Sequence, residues 1–217
     1  MNTDGVYGYN AQEVAAVSEK MIWHGANVLG YLTDEMQKNF INPMAENWVC
    51  KEAQDFFVDF KEKIEKLAVR VNERMHTFYD ALRDSSRLWA ERTGGFVGFS
   101  WNQNFVPNLD ISNIKENVNG IRGINMKNVP EILNYLTSIV DKTREDMNQV
   151  KSYQQRVPFL GADQQEKLAD LIYLITMDIE DSVAFVINGV QMGIKNTLTK
   201  YGDTASLVSG KLSDASK

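Results

Sequence analysis

The chain has 217 residues, 43% of them hydrophobic and 24% charged, which is ordinary for a folded protein. Its formal net charge is -6 and it has no Lys/Arg-rich cluster, so we expect no nucleic-acid partner. The single cysteine excludes an internal disulfide and a cysteine-rich zinc site, and no other pattern calls for a metal or a cofactor.

Two targeting signals are missing from the sequence. The first ten residues lack the basic and apolar regions of a cleavable signal peptide. No window approaches the run of about 20 apolar residues that a transmembrane helix needs. We therefore expect a protein that is secreted without a signal peptide, carried in a virion or, failing these, cytoplasmic.

The first helix is predicted to begin at Asn10, because Asn10 and Glu13 have the spacing of a capping box. Apolar or small residues then recur every three or four positions, at Val14, Val17, Met21, Gly25, Val28, Leu32 and Met36. Pro43 is expected to end or bend this helix. The pattern therefore places a turn at residues 41–50.

The second helix is predicted to be much longer than the first. Its apolar stripe is unbroken and comprises Phe56, Phe60, Ile64, Leu67, Val71, Met75, Phe78 and Leu82. With a C-cap at Gly94 and Gly95, it would have about 40 residues and a length of about 60 Å. A helix of this length needs a long partner, so we expect the first helix to fold back on it as a hairpin over residues 1–93.

Residues 94–127 are rich in Gly and Asn and break the helical periodicity. They nevertheless carry large apolar side chains, namely Phe96, Phe99, Trp101, Phe105 and Ile111. Leaving so many aromatic rings in water would be costly. This segment is therefore predicted to be an ordered connector that lies on apolar surface, with room for a short helix or a strand pair.

A second hairpin is predicted over residues 128–202. Its first helix begins at a box-like Asn128–Glu131 and carries the stripe Ile132, Leu136, Ile139, Thr143, Met147 and Val150. A turn at 157–162 contains Phe159 and Gly161, and a fourth helix begins at Asp163. Residues 203–217 are small and polar, which is typical of a flexible or partner-bound tail.

The predicted fold is all-α, with two long antiparallel helical hairpins that resemble coiled coils and are joined by the connector. The pattern does not decide whether the hairpins form one bundle. Long striped helices without a reactive constellation favour a non-enzymatic protein that binds copies of itself or other chains, as a homo- or hetero-oligomer.

Cys50 and the two histidines are the candidate reactive groups. A nucleophilic Cys50 would need a nearby base, and both His24 and His76 fall on helices away from the turn. The two histidines alone make a weak metal site. We therefore expect Cys50 to be a half-buried residue at the start of a helix, and an enzyme that uses it is the least favoured alternative.

The first hairpin resembles the Trp-x-Gly (WXG) family of small helical hairpins. The resemblance rests on Trp48, Val49 and Cys50 at the turn, followed by Ala53, Phe56 and Phe57. Phe159, Leu160 and Gly161 look like the turn of a diverged second copy. The resemblance implies a non-enzymatic, dimer-forming bundle that bacterial type VII secretion systems export without a signal peptide.

The sequence departs from the family pattern at two points, and the second of them favours an alternative. Cys50 stands where the family has Gly. The family's export signal, Tyr-x-x-x-Asp/Glu after the second helix, is absent, because Tyr79 precedes Arg83 and Tyr201 precedes Ala205 at that spacing. The alternative is a structural component of a phage virion or tail from a Gram-positive host.

Overall fold

The computed structural model describes residues 5–95 and 105–215 and confirms the all-α fold. Phe96, Phe99 and Trp101 of the predicted connector lie outside the described residues. The helices in chain order are α1 (Ala11–Leu32), α2 (Asp34–Met36), α3 (Asn42–Asn47), α4 (Lys51–Thr93), α5 (Asn128–Ser152) and α6 (Ala162–Ala215). Two short strands, β1 (Trp48–Val49) and β2 (Gly123–Ile124), pair antiparallel. None of the helices within the described ranges is long and apolar enough to cross a bilayer.

The first helical segment starts as predicted but is interrupted earlier than Pro43. The Asn10 side chain accepts hydrogen bonds from the N–H groups of Gln12 and Glu13 and so caps α1. The helix breaks at Thr33, and a π-helical turn over Gln37–Ile41 follows α2. Pro43 then lies in the first turn of α3, which continues directly from the π-helical turn.

Helix α4 has the predicted length and stripe. It runs for 43 residues and buries one face, which includes Phe60, Ile64, Val71 and Phe78. Gly94 ends it with φ +76, a conformation that glycine adopts without strain.

The two hairpins form one four-helix bundle. Helix α1 packs against α4 and α5, and α6 packs against the same two helices, so a single hydrophobic core is continuous through all four. The end of the bundle that contains the 41–50 turn, β1, β2 and the start of α5 is called the tryptophan end. The opposite end, with residues 5–10 and the 157–162 turn, is called the N-terminal end.

The described part of the connector is ordered against the bundle. Leu109 and Ile114 are buried in the core, and Phe105 and Ile111 pack partly against it. The N–H of Leu109 donates to the Glu65 carboxylate at 2.8 Å. These contacts hold the connector along the bundle and lead the chain to β2.

The cap of α5 differs from the expected Asn128–Glu131 box. The Asn125 side-chain oxygen accepts from the N–H groups of Lys127 and Asn128, at 3.1 and 3.0 Å. The Asn128 amide instead donates to the Asn47 side-chain oxygen at 3.0 Å. The start of α5 is therefore fixed to the turn of the first hairpin.

Helix α6 continues beyond the boundary expected near residue 202. It remains helical through Ala215, and its side chains over residues 203–215 are all exposed. This segment, called the α6 extension, projects beyond the last core residues by about 20 Å at 1.5 Å per residue.

Candidate functional site

Trp48 is the centre of an aromatic cluster at the tryptophan end. Its indole is fully buried, and its ring centroid lies 5.2 Å from that of Phe56 and 6.2 Å from that of Phe57. Phe40 and Phe60 extend the cluster, with centroids 5.1 Å apart. Aromatic pairs at these distances stabilise one another beyond their burial. The predicted turn is therefore a packed joint.

The backbone around Trp48 fixes this joint to the rest of the bundle. Trp48 pairs with Ile124 across the two short strands. Next to this pair, the N–H of Asn125 donates to the Asn47 carbonyl oxygen at 2.7 Å. The first turn, the connector and the start of α5 are consequently one hydrogen-bonded unit.

Cys50 lies in this joint beside Tyr201 of α6. It is the N-cap residue of α4 and is buried, and its side chain makes no capping bond. The thiol sulfur lies 3.2 Å from the Tyr201 hydroxyl oxygen. Burial, followed by the neighbouring thiol, raises the pKa of Tyr201 to about 12. Tyr201 is therefore protonated at neutral pH and gives Cys50 no base.

The other predicted turn residues divide between the two ends. Ala53 is buried in the first turn of α4, and a Cβ at Gly193 of α6 would lie 3.7 Å from the Phe56 ring. Phe159 pairs with Tyr9 at the N-terminal end, and a Cβ at Gly161 would lie 3.1 Å from the Tyr7 ring. The residues of the first predicted turn and those of the second therefore lie at opposite ends of the bundle.

The α6 extension presents exposed apolar side chains. Ala205, Val208 and Leu212 continue the three- and four-residue spacing of Leu198 and Tyr201, and Leu212 is 67% exposed. The extension also contains several Ser residues and Gly210, which are poor helix formers. An isolated helix this short is marginal in water. An exposed apolar stripe on such a helix is typical of a contact surface for another chain.

A buried polar cluster between α1 and α5 was missed by the sequence reasoning. The Asp146 carboxylate accepts hydrogen bonds from three α1 side chains: His24 at 2.6 Å, Asn27 at 3.2 Å and Tyr31 at 2.9 Å. Burial and the adjacent Asp146 raise the pKa of Tyr31. The sequence signal was an acid on the buried face of α5, beside Met147, because a buried carboxylate requires donors.

A groove of about 460 Å³ opens beside this cluster, with Trp23, Lys142 and Tyr153 in its wall. A His–Asp pair can orient a general base. However, no Ser, Thr or Cys nucleophile is among the described residues that line the groove. The three donors also occupy both oxygens of Asp146, which is the arrangement of a clamp that joins α1 to α5.

The Tyr31–Glu35 pair has the spacing of the family's export signal but lies at the same helix interface. Glu35 accepts from Lys142 at 2.9 Å and from the Tyr135 hydroxyl at 3.4 Å, and Tyr31 donates to Asp146. Both side chains are therefore engaged within the bundle. In residues 5–95 and 105–215, no three His, Cys, Asp or Glu side chains are grouped as a metal site requires.

Comparison with known proteins gave no match to a family model, a curated protein or a solved structure.

Proposed function

We propose that the protein is a non-enzymatic subunit that self-associates through the α6 extension. The observation that supports this is a helix whose apolar stripe continues past the end of the bundle and stays exposed over residues 203–215. Self-association would bury the stripe and stabilise a segment that is a poor helix on its own.

Within this proposal, the protein is a WXG-like secreted or secretion-associated protein. Its support is the helical hairpin with Trp48 buried at the joint, followed by Ala53, Phe56 and Phe57 on the next helix. Here both hairpins belong to one chain, so the four-helix bundle is complete without a second copy.

A structural subunit of a phage virion or tail is the second candidate. It is favoured by the sequence around Tyr79 and Tyr201, which lacks the export signal, and by the engagement of Tyr31 and Glu35 inside the bundle. A particle subunit needs no such signal and requires only surfaces for its neighbours.

Sedimentation velocity over a dilution series tests the self-association. We expect the full chain to associate as its concentration rises and a chain that ends at Gly202 to stay monomeric. Ser206→Glu, on the opposite face of the extension, is the control and should associate like the parent. A full chain that stays monomeric up to about 1 mM would bind itself by less than about 4 kcal/mol, which contradicts the proposal.

A further inference from the structure

The groove beside the Asp146 cluster, between α1 and α5, has the size and lining of a small-molecule site. Its volume of about 460 Å³ lies within the range of about 300–1,000 Å³ that is typical of such sites. Trp23 and Tyr153 contribute aromatic walls, and the buried His24 and Asp146 side chains also line it. It is called the α1/α5 groove.

The hydrogen bond to Asp146 determines which ring nitrogen of His24 carries the proton. An ionised carboxylate only accepts hydrogen bonds, so the 2.6 Å contact places a proton on Nδ1. Asn27 and Tyr31 donate to the same carboxylate, which favours its ionised form. In the neutral imidazole, Nε2 therefore carries a lone pair and no proton.

Nε2 of His24 is an acceptor without a partner in the described part of the chain. The His24 side chain is more than nine-tenths buried, and Nε2 makes no hydrogen bond to any residue in 5–95 or 105–215. The atom is not sealed, because His24 lines the groove and Nε2 keeps some contact with solvent. A lone pair in so confined a place is poorly solvated, so a donor that enters the groove gains a hydrogen bond there.

The walls of the groove favour an aromatic ring as the carrier of that donor. Trp23 is 56% exposed, and its ring meets the His24 ring edge-on, with centroids 4.6 Å apart. A ligand that reaches His24 therefore lies beside the indole, and Tyr153 offers a second aromatic surface. Aromatic rings pair with one another at these separations and gain stability beyond their burial.

The charges around the groove favour neither an anion nor a cation. Lys20 and Lys142 line it together with two acids, Glu145 and Asp146, so the two signs balance. Lys142 is in addition paired with Glu35, at 2.9 Å. The ring and its donor group, and not a net charge, therefore define the class of ligand.

We propose that the α1/α5 groove binds a small, neutral aromatic molecule whose hydroxyl or N–H group donates a hydrogen bond to Nε2 of His24. The ring of the ligand lies against Trp23 and Tyr153. Asp146 is a positioning residue, because its hydrogen bond to Nδ1 leaves Nε2 free to accept. The site is independent of the α6 extension and adds a ligand to the proposed self-association.

Nitrogen-15 NMR of the imidazole rings tests the state of the acceptor in the full-length protein. The chain has two histidines, so the spectrum is simple, and the variant His24→Asn assigns it. In mildly alkaline solution we expect the proton of His24 on Nδ1 and a lone pair on Nε2. A proton on Nε2 under these conditions would overturn the proposal, because the groove would then present a donor.

Phenol and toluene are the matched probes, because they have nearly the same shape and only phenol donates a hydrogen bond. Titration of each to millimolar concentrations, followed by the Nε2 signal of His24, gives the two affinities. We expect phenol to shift this signal and to bind at least about threefold more tightly than toluene. A merely apolar groove would prefer toluene, which is the more hydrophobic molecule. Equal or tighter binding of toluene, or an Nε2 signal that phenol leaves unchanged, would overturn the proposal.

Three variants locate the binding, and far-UV circular dichroism checks that each is folded. His24→Asn keeps an N–H₂ group near the position of Nδ1 and removes Nε2, so it should bind phenol no better than toluene. Trp23→Ala should weaken both probes at least about threefold. Tyr173→Ala, at a residue of α6 that is 50% exposed and outside the groove, is the matched control and should bind like the parent.

The outcomes separate this site from other effects. If Tyr173→Ala weakens phenol binding as much as Trp23→Ala does, the probe binds exposed rings only and the proposal is wrong. If His24→Asn does not fold, the comparison of phenol with toluene on the parent decides. Binding of phenol is measured in dilute protein, so a failure of self-association leaves this test unchanged.

Discussion

The two parts of α6 have the same secondary structure and opposite surroundings. Within the bundle, the helix buries a stripe of branched side chains that includes Ile172, Ile179, Val183 and Ile194. In the extension, the same spacing continues, and every described side chain is exposed. Hydrophobic periodicity therefore indicates which face of a helix packs against another surface. It does not indicate whether that surface belongs to the same chain.

This contrast predicts that changes in the bundle affect unfolding, whereas changes in the extension affect association. The largest effect is expected for Trp48→Ala, because the indole is fully buried at the joint. We expect a loss of about 3–5 kcal/mol in the free energy of unfolding. Urea denaturation measures it. Trp23→Ala is the control, since Trp23 is 56% exposed, and it should cost less than about 1 kcal/mol.

A loss below about 1 kcal/mol for Trp48→Ala would contradict the packed joint and would make Trp48 a contact residue for another chain.

The next largest effect on the free energy of unfolding is expected at the polar clamp, in which Asp146 of α5 accepts hydrogen bonds from α1. Asp146→Asn replaces one acceptor oxygen by an N–H₂ group among the donors His24, Asn27 and Tyr31. We expect a loss of about 1–3 kcal/mol, because buried donors are left without acceptors. Asp141→Asn on the exposed face of α5 is the matched control, and equal stabilities of the two variants would show that the clamp is dispensable.

A smaller, pH-dependent effect is expected at the α4–α6 interface. Hydrogen bonds from Arg70 lower the pKa of Asp178, and Arg74 donates to the same carboxylate at 2.6 Å. The folded state therefore binds this proton less readily than the unfolded state. The resulting stabilisation is present above the ordinary carboxyl pKa and disappears as the pH falls through the lowered value.

Asp178→Asn should accordingly cost about 1 kcal/mol or less near neutral pH and nothing in strong acid. Urea denaturation of both proteins across the acid range measures the difference. If the two free energies of unfolding differ by the same amount at every pH, the charge of the Asp178 carboxylate has no role.

The smallest effect on unfolding is expected from deleting residues 203–217. The described residues of the extension are exposed, so their removal should change the free energy of unfolding of the dilute protein by less than about 0.5 kcal/mol. Urea denaturation below the association range measures this. A large loss of stability would mean that the extension packs on its own bundle.

The sequence predicted the features that depend on local patterns. The caps at Asn10 and Gly94 and the α4 stripe follow from spacing and residue type, so their positions were predictable. The capping of α5 by Asn125 and the break at Thr33 were missed, because tertiary contacts compete there with local signals.

The contacts of the candidate site were less predictable. Asp146 and its α1 donors are more than 100 residues apart, and the Cys50 thiol and the Tyr201 hydroxyl are 151 residues apart. Only the packing of α1 against α5, and of α6 against α4, brings these groups together. The length of α6 was underestimated because Ser, Thr and Gly residues over 203–215 predict a tail when read alone.

Amide hydrogen exchange along α6 tests most directly whether the extension is stabilised by a second copy. In the part of α6 within the bundle, the backbone amides should be strongly protected from exchange, and this protection should not depend on protein concentration. Over residues 203–215, it should be low in dilute protein and rise with concentration in parallel with association. Protection of the extension that is equally strong in dilute monomer, or that stays absent in the associated protein, would contradict its role as the contact surface.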